Sequence, residues 1–195
     1  QLPLRRNPEA QMEDPALRQA QSPFEPPHVL FSKGGRVAYA DFRVVFQHSV
    51  YGIHGPVADE QALRFLAAFL ASSLADYFLF HSAASPGQER GDCLIKELRR
   101  LPFPLPNELR DPTTARATLR EIARRIQETE RRIAGNVVGQ DVTIERLRAD
   151  CHGLVLDYFD LLETERILLR EWQEVVSPSC TPNSLRPVPA HAPSR

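Results

Sequence analysis

The stretch DEQALRFLAAFLASSLADYFLF, residues 59–80, decides the fold. Within it Leu63, Leu66, Leu70, Leu74, Tyr77 and Phe78 fall at the steps of three and four that build one apolar face of a helix. Phe65, Phe69 and Phe80 widen that face over most of the circumference, which predicts a helix buried on more than one side. Asp59 stands where an N-cap accepts backbone N–H groups, with Glu60 beside the positive end of the helix dipole. A membrane span wants about 20 predominantly apolar residues, and Arg64, Asp76 and the Ser72-Ser73 pair interrupt this run. It is therefore read as a core helix. The two serines mark a place where small side chains let a neighbouring backbone come close.

Upstream, from His28, the pattern changes to short β-branched and aromatic runs, HVLFSKG, RVAYADF and RVVFQHSVYGI, punctuated by Gly34-Gly35, Gly52 and Gly55. Ser32-Lys33-Gly34-Gly35-Arg36 reads as a hairpin turn, because glycine supplies the positive φ such turns require. Two to four antiparallel strands are expected over His28–Ile53. The predicted class is α+β: a small antiparallel sheet packed on a long buried helix, followed by a helical extension. Lys33, Arg36, Arg43, His48 and His54 fall in or beside the loops. They are read either as solvated loop charges or as groups that touch a phosphate or a base edge.

Downstream, His81–Asp92 is a polar loop, and Leu94, Ile95, Leu98 and Leu101 form a short apolar stripe. The run Leu101-Pro102-Phe103-Pro104-Leu105-Pro106 favours an extended strap over the core, with Phe103 and Leu105 pointing inward. Asp111-Pro112 opens the next helix as N-cap and first helical residue. Leu119, Ile122, Ile126 and Ile133 line one face of it, while Arg116, Arg120, Arg124, Arg125, Arg131 and Arg132 outnumber Glu121, Glu128 and Glu130. This basic helix is read either as a solvated face with intrahelical ion pairs or as a phosphate-tracking surface. Gly135-Asn136 and Gly139 break it. Asp141 caps another helix, in which Leu147, Cys151, Leu154, Val155 and Tyr158 share a face, and a last helix runs from Thr164 to Val176. The chain thus divides into a proline-rich linker or arm (1–27), an α+β unit (28–110), a helical extension (111–176) and a Pro- and Ser-rich flexible tail (177–195).

Composition bounds the function loosely. With 195 residues and a formal net charge of -1, the chain is not a general polyanion binder, so any nucleic-acid role rests on a local patch. The three cysteines, Cys93, Cys151 and Cys180, are far apart, which suits free thiols in a cytoplasmic setting. The start at Gln1 lacks an initiator Met and a signal-peptide pattern, as expected of a chain cut from something longer or read from an incomplete gene. The six histidines show no metal-ligand spacing; no nucleophile elbow, phosphate-cradling loop or dinucleotide fingerprint occurs. The text therefore predicts no metal site and no catalytic apparatus.

The order of segments carries a resemblance. PPHVLFSKGG, then VYGIHG, then LRFLAAFLASSLADYFLF, then IKELRRLPFPLP resembles the target-recognition region of bacterial N6-adenine DNA methylases and of restriction-modification specificity subunits. Leu66 to Ser73 looks like that family's Leu-x-x-x-Leu-x-Ser stretch, and Leu101-Pro102-Phe103-Pro104 like its Leu-Pro-Ile-Pro phrase. DYFDLLETERILLREW is similar to the phrase that often ends such methylases, with Asp157, Phe159, Leu161, Glu165, Arg166 and Leu169 as matches. The Gly-rich S-adenosylmethionine loop and the Asn/Asp-Pro-Pro-aromatic catalytic loop are absent; Pro26-Pro27 lies between Glu25 and His28.

The resemblance implies a DNA-binding target-recognition portion of a restriction-modification or phage-defence adenine methylase, without its catalytic core. The chain alone would not be an enzyme. Its partners would be double-stranded DNA, a methyltransferase catalytic domain or subunit that holds the S-adenosylmethionine, and in such systems a restriction nuclease. Lys33, Arg36, Arg43 and His48 would read base edges, and Arg124 and Arg125 would touch phosphates. The alternative is a non-enzymatic helical module that docks to another protein through residues 111–176.

Overall fold

Three short runs of β-branched and aromatic residues become strands because one side of each faces an apolar helix. They are β1 (His28–Ser32), β2 (Val37–Ala40) and β3 (Val50–His54), in the antiparallel order β2-β1-β3. Val29 pairs with Tyr39 and Ile53, and Phe31 with Val37 and Tyr51. These alternate residues share one face, on which Val29 and Phe31 are fully buried against the core. In the hairpin turn Gly35 adopts φ 80° and donates its N–H to the Ser32 carbonyl at 2.9 Å. Phe46, from the β2–β3 connection, covers the other face by lying over Gly52; a Cβ at Gly52 would run into its ring. A larger residue there would displace the Phe46 ring.

The computed structural model describes residues 24–82, 93–134 and 141–176, and only the backbone of 133–134 and 141–148. Residues 1–23 of the proposed arm (1–27), residues 83–92 of the expected polar loop, the glycine break at 135–140 and the tail from 177 lie outside the described residues, while His81 and Ser82, expected in that loop, are helical.

The expected single helix over residues 59–80 is two helices. α1 (Glu60–Leu70) and α2 (Ser73–Ser82) meet at a bend of 66°, the first preceded by a 3-10 turn at Val57–Asp59. The cause is Ser72, whose hydroxyl donates to the Phe69 carbonyl at 2.6 Å and accepts the Ala75 N–H at 3.4 Å. A serine side chain here replaces a backbone partner and starts a new helix. What approaches Ser73 is a side chain, with His152 Nε2 3.1 Å from its Oγ, rather than a neighbouring backbone. Asp59 occupies the N-cap position of α1 but makes no side-chain cap bond. Among the described residues no single helix is long and apolar enough to cross a membrane.

The remaining helices are α3 (Ile95–Leu98), α4 (Pro112–Ala134), α5 (Asp141–Tyr158) and α6 (Glu163–Glu171), the last running on as a π turn through Trp172–Val176. Asp111 caps α4 as expected, accepting the N–H groups of Thr113 at 3.0 Å and Thr114 at 3.1 Å. The Thr114 hydroxyl, with these backbone bonds added, holds its carboxyl below the usual range. Ala115, Leu119 and Ile122 bury the apolar stripe of α4 against α1, and Val155 and Tyr158 add α5 to the same core. Residues 28–110 and 111–176 therefore share one hydrophobic cluster, from Val29 to Leu169.

The proline-rich strap also closes over this core. The Phe103 ring lies 5.2 Å from Phe65 and 5.8 Å from Phe69, and the Tyr158 hydroxyl donates to the Pro104 carbonyl at 2.8 Å. Leu105, expected inside, is 51% exposed. It precedes the 3-10 turn Pro106–Glu108, where the Glu108 carboxylate accepts its N–H at 2.6 Å and turns the chain outward.

Candidate nucleic-acid interface

The antiparallel register decides which loop residues meet. Ser32 pairs with Val50, and the Lys33 N–H donates to the Ser49 carbonyl at 2.9 Å, so the β2–β3 connection ends beside the β1–β2 turn. Lys33, Arg36 and His48 are thereby gathered at one end of the sheet. Arg43 is not among them. It follows Ala40, which pairs with His28 at the opposite end, and its Nε lies 3.4 Å from the Glu25 carboxylate. His54 pairs with His28 and shares that far end.

The sequence reading missed a second basic group. The Lys33 carbonyl accepts the Cys93 N–H at 2.9 Å, which anchors the segment Cys93–Arg100 at the turn end. Lys96, Arg99 and Arg100 are exposed there. The segment's acid, Glu97, is buried, with its carboxylate accepting the Leu94 N–H at 2.7 Å. Among the described residues Lys33, Arg36, Lys96, Arg99 and Arg100 have no carboxylate at ion-pair distance. The two lysines of the chain are both in this group.

The arginines of α4 are differently placed. Arg124 donates twice to Glu121, at 2.9 and 2.8 Å, and Arg125 donates to Glu121 at 2.8 Å and to Asp150 of α5 at 2.6 Å. Bonds from the two arginines hold the Glu121 carboxyl at about 2. Arg132 pairs with Glu128 at 2.6 Å, and Arg116 donates to the Asn107 side chain. This face is laced with ion pairs, as the i,i+3 and i,i+4 spacings allow.

A buried charge network ties the sheet to α1 and α4. Arg64, 3% exposed, donates to Glu60 at 2.8 Å and to Glu130 of α4 at 2.6 Å, with its guanidinium carbon 4.3 Å from the Tyr39 ring centre. The Glu130 carboxyl is pushed up to about 7, because burial outweighs the attraction of Arg64 and the charges of Asp41 and Glu60 add to it. Burial likewise pushes the Tyr39 phenol up to about 12.

A carboxyl that keeps its proton to about 7 when folded, against 4.5 ordinarily, binds more protons in the folded state between those values. Its contribution is thus complete below the lower value and lost as the pH rises through the upper one. Urea denaturation of the wild-type protein is expected to show about 1–2 kcal/mol of stability lost across that window, less than the roughly 3 kcal/mol of the full shift because solvent screens the part-exposed carboxyl, and Glu130→Gln should flatten this slope. An unchanged slope in the variant would remove Glu130 as its source.

Other features carry no chemistry of this kind. Ser73 and His152 form a serine–histidine contact, but Ser73 is 3% exposed and out of reach of a substrate. Burial pushes the thiols of Cys93 and Cys151 up to about 11, away from the thiolate a nucleophile needs. A cavity of about 420 Å³ beside the start of α4 is lined by Asp111, Asp157 and Asp160 against the one cation Arg110, a net negative rim that does not suit a phosphate. The DYFDLLETER phrase builds the α5–α6 corner: Asp160 takes φ 51°, Arg166 binds Asp157 at 2.9 Å, and Phe159 stacks on Phe69 at 5.1 Å. Among the described residues no three His, Cys, Asp or Glu side chains come close enough to hold a metal ion. Compared with known proteins, the chain matches no family model, no curated protein and no solved structure.

Proposed function

We propose that this chain is a DNA-contacting target-recognition module that works in the cytoplasm beside a methyltransferase catalytic domain or subunit. The observation that carries this is the gathering of Lys33, Arg36 and His48 at one sheet end, without a carboxylate partner among the described residues. An exposed arginine free of ion pairs is available to donate two hydrogen bonds to a guanine edge in the major groove. The resemblance of the segment order to adenine methylase recognition regions supports the same reading. Methyl transfer and S-adenosylmethionine would belong to the catalytic partner, and a restriction nuclease would share the DNA target.

Replacing Arg36 by Ala is expected to change preference among duplex sequences, with about 1–3 kcal/mol lost wherever a bidentate base contact disappears. Fluorescence anisotropy of the full chain against a panel of labelled duplexes at low salt checks this. Equal affinity of wild type and variant for every duplex would exclude Arg36 from base reading. The second reading, a protein-docking module, keeps one observation in its favour: Leu162, Ile167 and Leu168 of the α6 region are 67%, 42% and 49% exposed. Against it, Leu119 and Ile122 of the α4 stripe and Val155 and Tyr158 of α5 are buried in the chain's own core.

A further inference from the structure

We infer that Lys96, Arg99 and Arg100 form the surface that grips the phosphate backbone of a DNA duplex, in place of Arg124 and Arg125 of α4. The inference rests on the DNA-recognition reading above and assigns it a second contact surface. Its basis is the contrast between two sets of cations.

Arg124 and Arg125 already hold carboxylates at 2.6–2.9 Å, so a phosphate would have to displace Glu121 or Asp150. Lys96, Arg99 and Arg100 face solvent with no such competitor among the described residues. Counterion release favours cations that are free to neutralise phosphates, and the charge of a pre-paired arginine is already neutralised locally.

Placement agrees with this. The Lys33–Cys93 hydrogen bond fixes the segment at the end of the sheet that carries Arg36. Two extended and five helical residues then set Arg100 within about 15 Å of Cys93. Duplex DNA carries a charge about every 1.7 Å of axis, so a patch of this size covers several phosphates while Arg36 reaches a groove. The backbone turns Arg99 N–H to Ile95 O at 3.1 Å and Arg100 N–H to Glu97 O at 3.0 Å hold the two arginines on a fixed helical turn.

The neighbouring Leu94 and Ile95 are 41% and 48% exposed, a pairing with cations that an anionic membrane surface also attracts. A helix that lies in a membrane interface needs a long amphipathic face, whereas α3 has four residues. The DNA duplex is therefore the partner that fits.

The test measures duplex affinity of the full chain over a series of salt concentrations, for wild type, Arg99→Ala/Arg100→Ala, Arg99→Lys/Arg100→Lys and Arg124→Ala/Arg125→Ala. The alanine pair at 99 and 100 should weaken all duplexes alike and reduce the slope of log affinity against log salt by about 2, while the lysine pair retains the slope. The pair at 124 and 125 should leave it unchanged, with circular dichroism confirming that each variant is folded. If wild type binds and the slope is lost only in the 124/125 pair, or in neither, this inference is wrong and the recognition reading stands. If wild type binds no duplex even at low salt, the recognition reading fails with it. Binding to phosphatidylserine vesicles in its place would assign the patch to a membrane surface.

Discussion

Replacing Phe65 by Ala is expected to remove about 3–5 kcal/mol of stability, the cost of deleting a fully buried aromatic side chain. Phe65 is 0% exposed, and its ring lies 4.3 Å from Tyr158 and 5.2 Å from Phe103. It thus joins three parts of the chain that are far apart in sequence: α1, the proline-rich strap and the end of α5. Its removal leaves a cavity that these parts can close only by shifting, and Tyr158 is held in place by its bond to Pro104. Domains of this size are stable by about 5–15 kcal/mol, so the variant should unfold at a much lower urea concentration. Phe42→Ala, at a side chain 63% exposed, should stay within about 0.5 kcal/mol of wild type. Similar losses for the two variants would contradict the packing described.

At a pH well above 7, where Glu130 is ionised, Arg64→Met should be nearly as costly, about 3–5 kcal/mol, but for an electrostatic reason. It strands Glu130, which is already half-buried and has an Oε1 with no hydrogen-bond partner among the described residues. A buried carboxylate without its cation either takes up a proton or pulls the helix out of place. The second variant is informative: Arg64→Met with Glu130→Gln removes both charges and should recover much of the loss. Equilibrium denaturation of the two single variants and the double variant measures the coupling. Losses that simply add would show that Arg64 stabilises through its packing on Tyr39 rather than through Glu130.

Features with local causes were legible in the sequence. The Ser32–Arg36 turn follows from Gly35 at positive φ, the start of α4 from Asp111-Pro112, and the inward Phe103 from the alternating prolines. The bend between α1 and α2 was not, because a serine hydroxyl that bonds a carbonyl three residues back leaves the apolar spacing of residues 59–80 unaltered. Arg43 and Arg36 look equivalent as loop residues; only the pairing of Ala40 with His28 sends one to the far end of the sheet. For α4, Glu121 at three and four residues from its arginines made intrahelical pairing readable, whereas the Asp150 contact depends on tertiary packing. The cations of the Cys93–Arg100 segment were overlooked because its apolar stripe was read and the residues between were passed over. The available signal was the composition of CLIKELRR, three cations to one acid, but the burial of that acid becomes visible only in the fold.

The central claim is that the turn end of the sheet faces DNA, and the chain's lysine content gives a direct measurement of it. Its two lysines, Lys33 and Lys96, both stand on the proposed surface. Acetylation of the full chain, read at the two lysines by peptide mass spectrometry with and without a duplex at low salt, therefore reports on that surface. The account predicts that both lysines are protected by the duplex and regain their reactivity when salt releases it. Undiminished reactivity of both lysines while the duplex is bound would contradict it.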